Sequence, residues 1–204
     1  MDYHIPLNQD GIYHILSHAV GNEKLFRTDE NYRFFLQQYF LRIQPIADTF
    51  SFCLLPNHFH FLIRIRQMEK LEELYHLKKK KSPQPGILPD FIMEQFSNLL
   101  NSYTKSYNKY YRRRGALFVD YLRRVEVKDN NQYTNTIFYI HKNPVHHGIS
   151  NSISDWRWSS YQAMLGHQPT DLLRSEVLEW FGGIQPFINF HQQSIDLKYG
   201  KGLE

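Results

Sequence analysis

The stretch CLLPNHFHFLIRIR, residues 53–66, decides how this chain is read. Pro56 and Asn57 interrupt an apolar run with turn chemistry. Both flanks are rich in β-branched and aromatic residues. The pattern predicts a hairpin, with TFSFCLLP as one strand and HFHFLIRIR as its return. Alternate residues of a strand share a face. His58, His60, Leu62, Arg64 and Arg66 therefore point one way, and Phe59, Phe61, Ile63 and Ile65 the other. The second set predicts the core face and leaves the imidazoles on the polar side. Sites ~7 Å apart on one strand face let two imidazoles converge on a single metal ion. Packing and a proton relay are the competing readings of that spacing.

Upstream, GIYHILSHAV (11–20) reads as a strand, and Asp29 caps a helix, ENYRFFLQQYFLRI, that Pro45 ends. Downstream, residues 67–90 hold a short helical stretch. They then run into KKKKSPQPGILPD, whose lysines, prolines and glycine make it the segment most prone to disorder. A long amphipathic helix spans 91–113, with Phe91, Phe96, Leu99, Leu100, Tyr103 and Tyr107 near one face and Gly115 as its stop. ALFVDYLRRVEV alternates as a fourth strand. Asp129 caps NQYTNTIFYIHKN, closed by Pro144, and DWRWSSYQAML is a turn and short helix. This order predicts an α+β fold, an antiparallel sheet with helices packed on one side.

Composition narrows the function classes. The 204 residues suit one domain with elaborations, and 42% hydrophobic and 16% aromatic content excludes a disordered chain. No apolar run approaches the ~20 residues of a membrane span. MDYHIPLNQDG has no basic-then-apolar leader pattern. The single cysteine, Cys53, excludes a disulfide framework and a cysteine zinc cluster. It reads as core, and a cytoplasmic location is expected. The net charge of +4 is modest, but its placement is not even. NSYTKSYNKYYRRRG interleaves cations with tyrosines, a composition that suits phosphates and unstacked bases, or equally a solvated helix face.

A metal needs a third ligand, and a reaction needs a nucleophile. The chain has no Gly-rich phosphate loop and no H-E-x-x-H. The other dense polar segment is TNTIFYIHKNPVHHG. On a helical wheel Tyr139 and Asn143 share a face with Gln132 and Thr136, away from Tyr133, Ile137 and Ile140. A tyrosine one turn before a carboxamide can act as a nucleophile beside a metal ligand. A half-buried tyrosine ahead of a helix-ending Asn-Pro is the plain alternative. His141, two residues from Tyr139, faces nearly the opposite way. Trp156 and Trp158 fit either packing or base stacking.

Taken together, CLLPNHFHFLIRI, FSNLLNSYTKSYNKYYRRRGALF, YIHKNPVHHGI and DWRWSSY resemble the REP-associated tyrosine transposases, within the single-tyrosine HUH (His-hydrophobic-His) group. The resemblance covers roughly residues 11–165. It implies a ferredoxin-like α+β domain over 1–166 with an extension of unknown role over 167–204. It implies Tyr139 as nucleophile and His58, His60 and Asn143 as ligands of a divalent ion, Mg2+ or Mn2+. Two imidazoles alone would suit zinc or copper better. Lys105, Lys109, Arg112, Arg113 and Arg114 would contact DNA, with Arg64 and Arg66 neutralising flanking phosphates. The implied activity is cleavage and rejoining of single-stranded DNA beside a REP-like hairpin through a 5′-phosphotyrosine link. Such a protein would act as a monomer or homodimer, away from membranes. Two other classes remain open: a domesticated, nonenzymatic binder of structured single-stranded DNA or RNA, and a metal-dependent hydrolase without a tyrosine nucleophile.

Overall fold

The computed structural model describes residues 5–119 and 122–193. Four strands form one antiparallel sheet in the order β2-β3-β1-β4. They are β1 (Ile12–His18), β2 (Ala47–Leu55), β3 (His58–Ile65) and β4 (Arg123–Val127). The hairpin forms as expected. β3 slots between β1 and β2, so the β1–helix–β2 unit is split, the ferredoxin-like arrangement. The register sets His58 opposite His18 and His60 opposite Leu16. On the other side it sets Cys53 opposite His60. Cys53 is fully buried, as expected, and burial pushes its thiol well above the ordinary range.

Helix α1 (Asp29–Ile43) and helix α3 (Leu88–Tyr110) cover the phenylalanine face. The buried positions of α1 are Tyr32, Phe35, Tyr39 and Ile43, one stripe at helical spacing. Tyr39 stacks on Phe61 at 3.9 Å. Its hydroxyl bonds Thr49 of β2 at 2.9 Å. From α3, Phe91, Phe96, Leu99, Tyr103 and Tyr107 point inward. Tyr103 and Tyr107 each donate a hydroxyl hydrogen bond to the 24–25 backbone, so neither inner tyrosine faces the histidines. α3 ends three residues earlier than its pattern suggested. Arg112 turns left-handed (φ 52°), and the Arg113 guanidinium bonds Asn108, Gly115 and Ala116. These contacts fold the chain back, so Arg112–Arg114 lie in the turn beyond the helix. The lysine run is partly helical, with α2 (Met68–Lys79) reaching into it.

The imidazole face is not the polar side that its composition suggested. Helix α4 (Asn130–His146) lies across it, so the sheet carries helices on both faces. Asp129 caps α4 by accepting from the Gln132 amide, and the Gln132 side chain accepts from Lys128 N–H in return. Ile137 and Ile140 are fully buried, and each such side chain favours the closed layer by ~1.5–3 kcal/mol. Pro144 does not close α4. It sits in the last turn, and its carbonyl accepts from Ile149 and Ser150 N–H as the chain leaves the helix.

Past α4 come a 3-10 turn (Ile153–Asp155) and helices α5 (Tyr161–Leu165), α6 (Arg174–Trp180) and α7 (Ile184–His191). The edge of β2 is covered by this region. Leu54 N–H donates to Trp158 O, Ser160 N–H to Phe52 O and Leu173 N–H to Thr49 O. Val177 of α6 and Phe187 of α7 are fully buried against the domain. Among the described residues no helix is long and apolar enough to cross a membrane.

Candidate functional site

The sheet register and α4 bring distant residues to one end of the imidazole face. His60 and Tyr139 meet edge to face with ring centroids 5.6 Å apart. His14 lies 6.0 Å from Tyr139 and stacks on His60 at 5.1 Å. His58 stands perpendicular to His60 at 5.0 Å, stacks on His18 at 4.7 Å and meets His147 at 4.9 Å. The Asn143 amide donates to Tyr139 O one turn back, and its carboxamide favours the charged form of His58. His58, His60, Tyr139 and Asn143 therefore occupy one site, the convergence that the sequence could only suggest.

Burial sets the protonation states. Desolvation pushes His14 and His58 down to about 3, with the like charges of His18 and His147 adding to the shift at His58. His60 is held well below its ordinary value by burial and by its imidazole neighbours. All three rings are neutral near pH 7, the form that ligates metals. His58 Nδ1 lies 2.8 Å from the Asn57 side-chain oxygen, an acceptor, so Nδ1 carries the hydrogen and Nε2 keeps a lone pair. His60 Nδ1 is taken by His14 Nε2 at 3.0 Å. His60 Nε2 and Asn143 Oδ1 are buried with no hydrogen bond from the protein. Buried lone pairs left in this way cost ~1–3 kcal/mol each unless a cation or donor arrives. Among the described residues no three His, Cys, Asp or Glu side chains form a ligand cluster. The available donor set is thus two imidazoles and one amide oxygen, and those residues fit a divalent ion that takes its remaining ligands from substrate or water.

The sequence-nominated cations scatter. Arg64 pairs with Glu176 at 2.8 Å and Arg66 with Asp48 at 3.0 Å, at the end of β3 away from His58. Arg113 pairs with Glu23 at 2.9 Å. Lys105, Lys109, Arg112 and Arg114 are exposed around the C-terminal end of α3. His141 faces away from Tyr139, as expected. Its Nδ1 lies 2.9 Å from His191 of α7 and its Nε2 2.8 Å from the Ser160 hydroxyl. Sequence reasoning missed His14, His18 and His147. The signal for two of them was present, because His14 and His18 sit on one face of IYHILSH. Which strand would lie beside β1 was not readable from β1 itself.

A solved structure of a REP-associated tyrosine transposase bound to a REP hairpin matches with a TM-score of 0.61 over 84% of this chain and 90% of that one, at 13% identity. A curated Haemophilus influenzae protein described as a REP-associated tyrosine transposase is 27% identical over 120 residues, 56% of this chain. This chain is similar to the REP-associated tyrosine transposases. The structural likeness shows the shared fold, and the sequence match spans 58% of the length of the curated relative. No protein-family profile matches the chain.

Proposed function

We propose that this protein cleaves and rejoins single-stranded DNA beside hairpins, with Tyr139 as the nucleophile. The reading rests on one observation: within a single chain, the Tyr139 ring packs edge to face on His60 at 5.6 Å, among buried, neutral imidazoles. His58, His60 and Asn143 are the residues we assign to a divalent ion, magnesium or manganese. Bound there, it would polarise the non-bridging oxygens of the scissile phosphate. Tyr139 Oη attacks phosphorus as the bond to the 3′ oxygen breaks. The 5′ phosphate stays on tyrosine, the phenol proton passes to water, and the leaving 3′ oxygen takes up a proton. The phosphodiester's energy is kept in the link, so a second 3′-hydroxyl can reverse the step. Asn57 and His14 hold the ligand rings in one tautomer and one orientation.

Tyr139 and His60 are only 3% and 1% exposed. A DNA strand reaches the phenol only if part of the cover at this end of the sheet moves, and His147, exposed beyond α4 and packed on His58, is the part we assign to that movement. Lys105, Lys109, Arg112 and Arg114 are the cations we assign to the DNA backbone. The ion pairs of Arg64, Arg66 and Arg113 favour structural duties for those three.

The test is a denaturing gel of hairpin-bearing DNA labelled at its 3′ end, with manganese. A slow covalent band is expected with the native protein and none with Tyr139→Phe. A band that survives Tyr139→Phe overturns the assignment. Chelator-sensitive hydrolysis without any adduct would make the protein a plain metallohydrolase. Tight binding without cleavage would make it a domesticated binder of structured DNA or RNA.

A further inference from the structure

A second candidate site lies at the hairpin-turn end of the sheet. A groove of about 780 Å3 opens between the 22–28 loop, the start of α1, Pro56 of the hairpin turn and the 155–158 segment. Its floor is a buried aromatic stack, and its rim is polar. Phe26 and Tyr32 stack at 4.5 Å, and Tyr32 stacks on Trp158 at 4.6 Å. Trp158 is closed off on its other side by Arg157 at 4.9 Å. Trp156 is half-buried, fixed by its indole N–H to Leu54 O, and presents a ring to the groove. The charges at the rim cancel. Arg27 pairs with Glu23 at 3.2 Å and Arg157 with Asp29 at 2.9 Å. Lys24 and Asp155 form no ion pair among the described residues and offer one donor and one acceptor.

A groove with paired rim charges and a half-buried indole, Trp156, is poor for a phosphate and good for a flat heterocycle with mixed edge chemistry. Its position says which heterocycle. Glu23 bonds Arg113, and Arg27 lies 4.7 Å over the Tyr111 ring, so one rim touches the cationic end of α3. Pro56, on the other rim, is two residues from His58. The groove therefore runs from the cationic end of α3 to the hairpin turn that leads into His58.

We infer that this groove holds one unpaired nucleobase of the single strand next to the cleavage point. The base stacks on Trp156, and Lys24 and Asp155 read its edge. The inference deepens the proposed function and names where the strand is gripped before chemistry.

The test uses a short DNA hairpin with mixed-sequence single-stranded arms, each arm nucleotide replaced in turn by an abasic one. Affinity is followed by fluorescence anisotropy at fixed salt. One abasic position is expected to weaken native binding about tenfold, the scale of a lost base–aromatic stack. The same position should have a clearly smaller effect in the Lys24→Ala/Asp155→Ala double variant, which loses the edge contacts and keeps the Trp156 stack, both residues being exposed and outside the core. In parallel, arm DNA should quench tryptophan fluorescence, and Trp156→Phe should remove most of the quench, because Trp158 is buried against Tyr32 and Trp180 lies packed on Phe50 and Tyr133. Equal abasic sensitivity in native and double-variant protein, or no sensitivity at any position, overturns the inference. An abasic effect that persists when no covalent adduct forms would keep the groove and sink the cleavage reading instead.

Discussion

His60 and His14 lie face against face, their planes 17° apart, with His60 Nδ1 3.0 Å from His14 Nε2. The contact turns His60 so that Nε2, buried and without a hydrogen bond, faces away from His14. A ligand imidazole held in this way depends on its partner for tautomer and aim. His14→Asn is expected to weaken Mn2+ binding roughly 10- to 100-fold. Mn2+-induced thermal stabilisation, measured without DNA, reads the change, and an unchanged affinity would remove His14 from the site.

Tyr139→Phe deletes one oxygen and keeps the ring that packs on His14 and His60. Covalent adduct formation should vanish while hairpin affinity stays within about twofold, a change of roughly 0.4 kcal/mol. A large fall in affinity would mean that the hydroxyl serves binding and not chemistry.

The cations divide into two sets by their partners. Arg112→Ala and Arg114→Ala should each weaken DNA binding and lower the log–log salt slope by about one. Arg64→Ala should leave both unchanged, since its guanidinium is engaged by Glu176 and Asp48. Arg113→Ala should instead lower unfolding stability by about 1–2 kcal/mol, because Glu23 and two turn carbonyls each lose one donor. Salt-dependent anisotropy and urea melts separate the two outcomes.

Acid should unfold this protein early. Burial depresses His191 to about 4 and holds His141 well below the ordinary value. In the unfolded chain both titrate near 6.5. Above that pH neither state binds the protons. Below it the unfolded state binds them and the folded state does not, so stability falls as pH falls. The loss is up to ~1.4 kcal/mol per pH unit for each such histidine, and for His191 it continues down to about pH 4. Urea melts between pH 7.5 and pH 5 should show this slope, and His191→Phe should flatten it. An unchanged slope would mean that His191 is already charged in the fold.

Much of this architecture was legible because the hairpin is local. Pro56–Asn57 and the alternation of β3 are written in consecutive residues, and so are the Asp129 cap and the stripe of α1. What the sequence could not carry was adjacency across the sheet. His14 and His18 meet the H-x-H pair only because β3 inserts between β1 and β2, a choice made by long-range packing. The burial of the imidazole face was missed for a related reason. Histidine reads as polar in a strand pattern, yet neutral imidazoles can be enclosed, here under α4 with Tyr139 edge-on to His14 and His60. Pro144 misled in the opposite way, because a proline in a last helical turn forfeits one bond and need not end the helix.

The contact between His141 and His191 has a consequence in time. The tyrosine-bearing helix leaves the ribosome first, and the imidazole that receives its buried neighbour is made fifty residues later. Until then His141 holds Ser160 through one ring nitrogen and lacks the partner of the other. A nascent polypeptide is therefore expected to finish closing the layer behind α4 only when α7 is made, and a message cut short before that helix should yield a less stable product.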